Sequence, residues 1–531
     1  MQRVLSIGIL VVMGIVLVTI ATFSLQWRMM HDAPLQLYMA YLIEHLHYVP
    51  YRDFFDINIP GIYLVNVCIG LIFGYSDLGF RCADLIYLGA ILSATWWWMK
   101  KIGALVAWCG SILFGLIYLG RGPIASMQRE YLLLLPVIIA LILASSNRRK
   151  SEAMNGMAVG FFFGLAAALK PHAAIAFPLV LAWRIMDRRR RHPGTPQAVS
   201  RVPVIIGLSM LGFLLPPLAL VLWLFQKGVL QNFFDIAVNY WPLYGQLTGY
   251  HEILTGAPRA KYLLMNYVRF GGYGLYGIPA AAGVCISLFS AALTSAQKRQ
   301  VVLLIGLAFV YSVYALWAGK FYTYHWLPFA YFMALLSSLC FVEQFEARDT
   351  ARGRFPIVVF LITICFLLGP PNIFFEQIQG RAPGPPKGGR VDEIAAYLKA
   401  HMRPGDKVQP LDWTGGAVHA MLIARAPLAT PFFYDVFFYH HLSSDYIQKM
   451  RARFIESVAA AQPRFIIQVE TDKPWVSGPD TSREFKELQL ILDTAYHPVF
   501  GGAGYVIYER RLNPGVTPEI ADNRLKRSPD G

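Results

Sequence analysis

Long apolar runs divided by short polar stretches dominate the chain from its N-terminus to about residue 370. A helix needs about 20 apolar residues to cross a bilayer, with about 17 as a practical minimum. Runs near 4–23, 82–99, 103–119, 130–145, 155–169, 173–186, 202–225, 271–293, 301–318, 326–343 and 356–370 predict about eleven transmembrane helices, some of them short. The run 60–73 is apolar but shorter, the length of a re-entrant or interfacial helix. Within 155–186, the pair Lys170-Pro171 sits at the centre. Proline removes a backbone donor and disfavours helix in the preceding residue, so two short helices meeting at a polar turn are expected.

Charge tests this threading. With Met1 in the cytoplasm, the inside loops hold Lys100, Lys101, Arg148, Arg149, Lys150, the run 188–191, Lys298, Arg299, Arg348, Arg352 and Arg354. Outside loops are poorer in Lys and Arg per residue, which is the positive-inside bias. Treating 60–73 as a full span, or 155–186 as one helix, puts later basic clusters on the wrong side. The first run follows one basic residue and has no small-x-small cleavage site, so it reads as a retained helix rather than a signal peptide.

Past residue 370 the pattern changes. A Pro/Gly-rich linker occupies 371–390. Helical patterns (391–402, 415–425, 443–461, 483–494) then alternate with strand-like runs (407–411, 464–469, 504–509). They predict a water-soluble α/β domain over 391–510 on the extracytoplasmic side. A polar tail at 511–531 reads as disordered. The domain carries no phosphate-binding glycine fingerprint. The transmembrane domain is therefore assigned to 1–370.

Composition agrees with a membrane protein. Of 531 residues 56% are hydrophobic and 15% charged, against about 25% charged in soluble proteins. The net charge of +15 is gathered in inter-helix segments, a pattern of membrane orientation and not of nucleic-acid binding. The six cysteines lie in or beside apolar runs without CxxC spacing, which argues against a disulfide framework or a zinc site.

Candidate chemistry lies in the outside segments. The first, 24–81, holds Asp32, an amphipathic stretch at 35–47 expected along the membrane surface, and Asp53 and Asp56 before the re-entrant helix. Arg129 and Glu130 open the fourth span. Lys170 sits at the helix break, where an ionisable residue in an apolar region is costly and points to function. Lys320, Tyr322 and His325 occupy the short loop 318–325. The loop 226–270 is rich in aromatics and glycine, and its Tyr and Trp suit either sugar stacking or a bilayer interface. Each charge has an ordinary alternative: Asp32 as a solvated helix-end carboxylate, Arg52 paired with Asp53 or Asp56, Arg129 paired with Glu130, Lys170 snorkelling to the surface. Together they lie on one side of the membrane, where a carboxylate suits general-base work on a hydroxyl. Arg and Lys there suit a phosphate leaving group.

At these residues the chain resembles a known family. The first helix, the acidic residue after it, the amphipathic stretch, "VPYRDFFDINIPGIYL" and "MQREYLLLLP" resemble the GT-C superfamily of polytopic glycosyltransferases. Nearest in style are the family-39-like relatives of protein mannosyltransferases, the lipid A aminoarabinose transferase and the rhizobial galacturonosyltransferases. The resemblance covers the layout of about 1–340. It implies a polyprenyl-phosphate sugar donor, an acceptor hydroxyl on an envelope lipid, glycan or protein, and an active site at the outer face of a bacterial inner membrane. It also implies Asp32 as the catalytic base and Glu130 as the acidic residue of the second outside loop. Asp53, Asp56, Arg129, Lys170, Lys320, Tyr322 and His325 are then candidates for binding substrate. Many relatives have Asp-Glu where this chain has Asp32-Ala33. Some relatives bind a divalent metal, so metal dependence stays open, with His31, Asp32 and Glu130 as the candidate ligands. Competing classes are a flippase for lipid-linked sugars and a ligase or polymerase of larger glycans. A flippase needs polar groups through the bilayer depth, and the span interiors here are largely uncharged.

Overall fold

The computed structural model describes residues 2–146, 152–191, 202–342, 350–368, 372–381 and 383–511. Every expected span contains a helix. The first nine helices of interest are α1 (Gln2–Phe23), α2 (Ala33–His45), α3 (Gly61–Phe73), α4 (Asp77–Met99), α5 (Ala104–Leu119), α6 (Arg129–Leu132), α7 (Leu134–Ala144), α8 (Glu152–Leu169) and α9 (Phe177–Arg191). Helices Val202–Gln226, Gly277–Phe289, Ser295–Ala318, Leu327–Ser338 and Thr350–Leu367 complete the bundle. Among the described residues five helical stretches are long and apolar enough to cross a membrane, or six if one bent pair is counted as a span. The chain is a multi-pass membrane protein. The expected span at 271–293 is the second arm of that bent pair, whose first arm falls in the expected outside loop 226–270: Gly256–Gly272 meets Gly274–Phe289 at 60°. Gly271 supplies the corner with φ +59, and a Cβ there would meet the Trp326 ring at 2.4 Å.

The helix break at Lys170-Pro171 is as expected. Lys170 is extended (φ −154, ψ 118), and a 3-10 turn over Pro171–Ala176 leads into α9. The α8 helix packs on Val202–Gln226 through small residues that let the backbones touch. A Cβ on Gly160 would lie 1.8 Å from the Ser209 carbonyl oxygen, and one on Gly212 would lie 2.0 Å from that of Met157. This is the close approach of small residues spaced by four, here Gly156, Gly160 and Gly164.

The polar segments gather at two ends. At one end Lys101 donates to the Ser145 carbonyl at 3.0 Å, Gln297 to that of Lys101 at 2.8 Å, and Arg299 to Asp187 at 2.6 Å. These segments belong to the set that charge had assigned to one side. Arg148, Arg149, Lys150 and Arg348 lie outside the described residues, as does the tail from 512.

At the other end sits the α/β domain. Strands β1 (Val408–Leu411), β2 (Phe465–Val469), β3 (Tyr496–Gly502) and β4 (Tyr505–Arg510) form one sheet in the order β1-β2-β4-β3. β1 and β2 are parallel and joined through helices Ala417–Ala424 and Asp445–Ala461. β4 runs antiparallel to both its neighbours. Strand β3 was not expected from sequence. It is an exposed edge carrying Pro498 and two glycines, with a register shift after Pro498, so it has little apolar alternation to read. The 371–390 linker is also partly helical, at Asn372–Ile378.

Two expectations about this end need correcting. The stretch at 35–47 is not a surface helix. From Ala33 through Leu42 every residue of α2 is buried, packed against α3 and against Ala417–Ala424 of the α/β domain. The reason is that its polar face is aromatic: the Tyr38 hydroxyl donates to the Ala426 carbonyl at 2.7 Å, and that of Tyr41 to the Arg425 carbonyl at 3.4 Å. Nor does the domain stand apart from the bundle. Phe55 N–H donates to the Pro431 carbonyl at 2.6 Å, Ile253 N–H donates to the Ser477 carbonyl at 2.9 Å, and Arg28 meets Asp392 at 2.7 Å.

Candidate active site

Between the bundle and the α/β domain lies a cavity of about 420 Å³. The break after α8 brings Lys170 to it, α6 brings Arg129, the segment before α3 brings Asp56, and 318–325 brings Lys320, Tyr322 and His325. Asp32, at the start of α2, faces the same space. Seven sequence candidates therefore converge on one wall system.

Asp32 is paired with His31, whose Nδ1 stands 3.1 Å from its carboxylate. His31 takes φ +57, a left-handed conformation that turns its ring back over Asp32 and toward the Tyr322 and Tyr324 rings. Burial pushes the Asp32 carboxyl up, but the neighbouring imidazole and the Arg129 charge outweigh it and hold the group below its ordinary value. Asp32 is thus ionised at neutral pH. Burial lowers His31 in turn, and the Asp32 carboxylate more than offsets it, raising the imidazole above its ordinary value.

Glu130 is entirely enclosed and does not line the cavity. One of its oxygens pairs with Lys170, accepts from the Tyr314 hydroxyl at 3.0 Å and lies 3.4 Å from His325 Nε2. Glu130 therefore reaches the cavity only through its partner Lys170, which lines it. Arg129 has no hydrogen bond at its buried Nε and no ion pair with Glu130. A guanidinium without a carboxylate partner, facing a cavity, is suited to an anion.

Asp56 is spent on architecture: its carboxylate accepts from Tyr63 at 2.7 Å, from Asn58 at 2.9 Å and from its own Ile57 N–H at 2.8 Å. It fixes the Asn58 amide at the cavity wall. Asp53 is not at the cavity at all; it pairs with Arg52 at 2.9 Å and accepts from Val49 N–H, the ordinary alternative. Lys320 donates to the Tyr244 and Leu247 carbonyls, both at 3.0 Å, with its Nζ 3.7 Å from the centre of the Tyr244 ring. It holds the aromatic loop 226–270 against the 318–325 loop. Burial pushes its ammonium down to about 7.

Sequence reasoning missed part of the wall. His172, next after Pro171, faces the cavity, as does Arg259 from the aromatic loop. Trp241, Tyr244 and His251 of that loop also reach it, as the expected cover does. Trp413, Thr414 and Tyr434 close it from the α/β domain. The first two had local signals, a His beside a helix break and an Arg in a Gly/aromatic loop. The domain residues had none, because only tertiary docking brings them there.

Among the described residues no group of three or more His, Cys, Asp or Glu gathers to hold a metal. Of the candidate ligands, Glu130 is committed to Lys170, leaving only the His31–Asp32 pair.

The solved structure of ArnT from Cupriavidus metallidurans, bound to undecaprenyl phosphate, matches 96% of this chain and 99% of its own length, with TM-score 0.56 and 11% identity. This chain has the ArnT fold. The arabinofuranosyltransferase AftD from Mycobacteria matches 96% of this chain and 42% of its own, at 13% identity and TM-score 0.40. No protein-family model and no curated protein matches the sequence.

Proposed function

We propose that the protein is a membrane glycosyltransferase. It takes a hexose or pentose from a polyprenyl-phosphate donor and passes it to a hydroxyl of an envelope lipid, glycan or protein. The reading includes eleven crossings of a bacterial inner membrane with the α/β domain on the extracytoplasmic side. The observation that carries it is the Asp32 carboxylate and the Arg129 guanidinium facing one cavity, Arg129 having no carboxylate ion pair among the described residues, in a fold whose solved example holds undecaprenyl phosphate.

In this reading the donor phosphate lies against Arg129 and Lys170, and the sugar against Trp241 and Trp413. Asp32 takes the proton of the acceptor hydroxyl as its oxygen bonds to the anomeric carbon. The bond from that carbon to the phosphate oxygen breaks, its electron pair leaves on the polyprenyl phosphate, and the configuration inverts. Arg129 and Lys170 stabilise the charge that develops there.

The test is transfer by the purified protein in lipid, offered a panel of radiolabelled polyprenyl-phosphate monosaccharides. Asp32→Asn is expected to lower transfer about 100- to 10,000-fold while keeping undecaprenyl phosphate binding and its unfolding temperature. Full activity in that variant would remove Asp32 as the base. Movement of labelled lipid across the bilayer without donor consumption would favour the flippase.

A further inference from the structure

A second cavity, of about 410 Å³, lies at the same junction, within the size range of small-ligand sites. Its walls come from three separated parts of the chain: the segment before α3, the first part of the aromatic loop, and helix Asp445–Ala461 of the α/β domain. One continuous stretch serves both cavities. Asp235 and Asn239 face the second, while Trp241 and Tyr244 face the first. The switch between them is made by a π-helical turn, Ile236–Tyr240. Such turns add a residue to a helix and recur at functional sites. A single layer of rings divides the two spaces: Phe55 of the second cavity packs on Phe437 of the first at 4.9 Å, with Tyr240 against both.

The chemistry of the second cavity differs from that of the first. Asp235 accepts from the Asn239 amide at 2.8 Å and from the Tyr446 hydroxyl at 2.9 Å, fixing an amide and an aromatic ring across the domain junction. Two acids, Asp235 and Asp445, balance two bases, Lys449 and Arg453, so no net charge favours a polyanion. The apolar part is limited to Phe55, Ile236 and Met450, too little to bury an acyl chain. The Asn239 amide and the Asp235 carboxylate, held together beside the Tyr446 ring, suit closely spaced hydroxyls.

We propose that this cavity is a saccharide subsite, holding neutral sugar residues of a glycan acceptor adjacent to the one whose hydroxyl reacts. The proposal rests on the transferase reading and narrows the acceptor to an oligosaccharide. Its test uses the full chain in lipid nanodiscs and fluorescent tri- and tetrasaccharides of neutral hexoses and N-acetylhexosamines. At least one should bind, and Asn239→Ala and Lys449→Met should each weaken it five-fold or more. Asn239→Trp, which fills the space from an exposed position, should abolish binding without lowering the unfolding temperature. Undecaprenyl phosphate binding should be the same in all of them. Failure of every neutral oligosaccharide to bind, or binding indifferent to both Asn239 variants, would overturn the subsite. If the oligosaccharide binds in this pattern while wild-type protein ignores undecaprenyl phosphate, the subsite stands and the donor reading fails.

Discussion

Glu130 has three polar neighbours on one carboxylate oxygen, Lys170, Tyr314 and His325, and none on the other. A buried ion pair contributes little against an apolar replacement, but removing one partner strands the other at a cost of about 3–5 kcal/mol. Glu130→Gln is therefore expected to lower the unfolding temperature sharply, and the double variant Glu130→Gln, Lys170→Met to recover most of the loss. A double variant no more stable than the single one would show that the two charges are uncoupled. Lys170→Met alone should also weaken undecaprenyl phosphate binding, whereas Asp53→Asn should not. The sequence pointed to Lys170 because an ammonium in an apolar region needs a reason. The ordinary alternative, Arg129 paired with Glu130, does not hold: Arg129 is near in sequence, but Lys170 is the neighbour in space.

Among the elements, α8 and helix Val202–Gln226 make the tightest contact, and its cause is glycine. The spacing of Gly156, Gly160 and Gly164 is visible in the sequence, but the partner face of Ser209 and Gly212 becomes definite only once the helices dock. Gly160→Leu must displace backbone and is expected to cost more than the 1–3 kcal/mol of ordinary overpacking. Gly207→Leu, on the partner helix with nothing within 4 Å, should be tolerated. Thermal unfolding in detergent separates the two, and equal losses would refute the packing account. The Lys170-Pro171 break was legible because proline acts locally. The burial of α2 was not, since part of its cover is Ala417–Ala424, far along the chain, just past which the Tyr38 hydroxyl meets the Ala426 carbonyl.

At the scale of the molecule the α/β domain is the roof of the cavity, and histidines sit along the seam. His440 Nδ1 lies 2.8 Å from His441 Nδ1, and its Nε2 lies 3.0 Å from the Tyr240 hydroxyl. Burial, then His441 and Lys320, push His440 down to about 3; burial and Lys320 push His251 down to about 4. In the unfolded chain both titrate near 6.5. The folded state thus binds fewer protons between these values, so stability is full above pH 6.5 and falls as the pH drops toward 4. At pH 5 the loss is on the order of 2 kcal/mol for each histidine. The unfolding temperature should fall between pH 7 and 5, and the His440→Gln, His251→Gln variant should flatten that slope; an unchanged slope would refute it. The apolar runs, the proline break and the charge asymmetry of the loops determined by themselves a polytopic helical protein with its polar chemistry at one end, because hydropathy and backbone restriction act along the chain. Which charges pair, which helix is buried and what closes the cavity were decided only by tertiary structure, because those contacts join residues far apart in the chain, from 40 positions for Lys170 and Glu130 to 388 for Tyr38 and Ala426, and leave no local period to read.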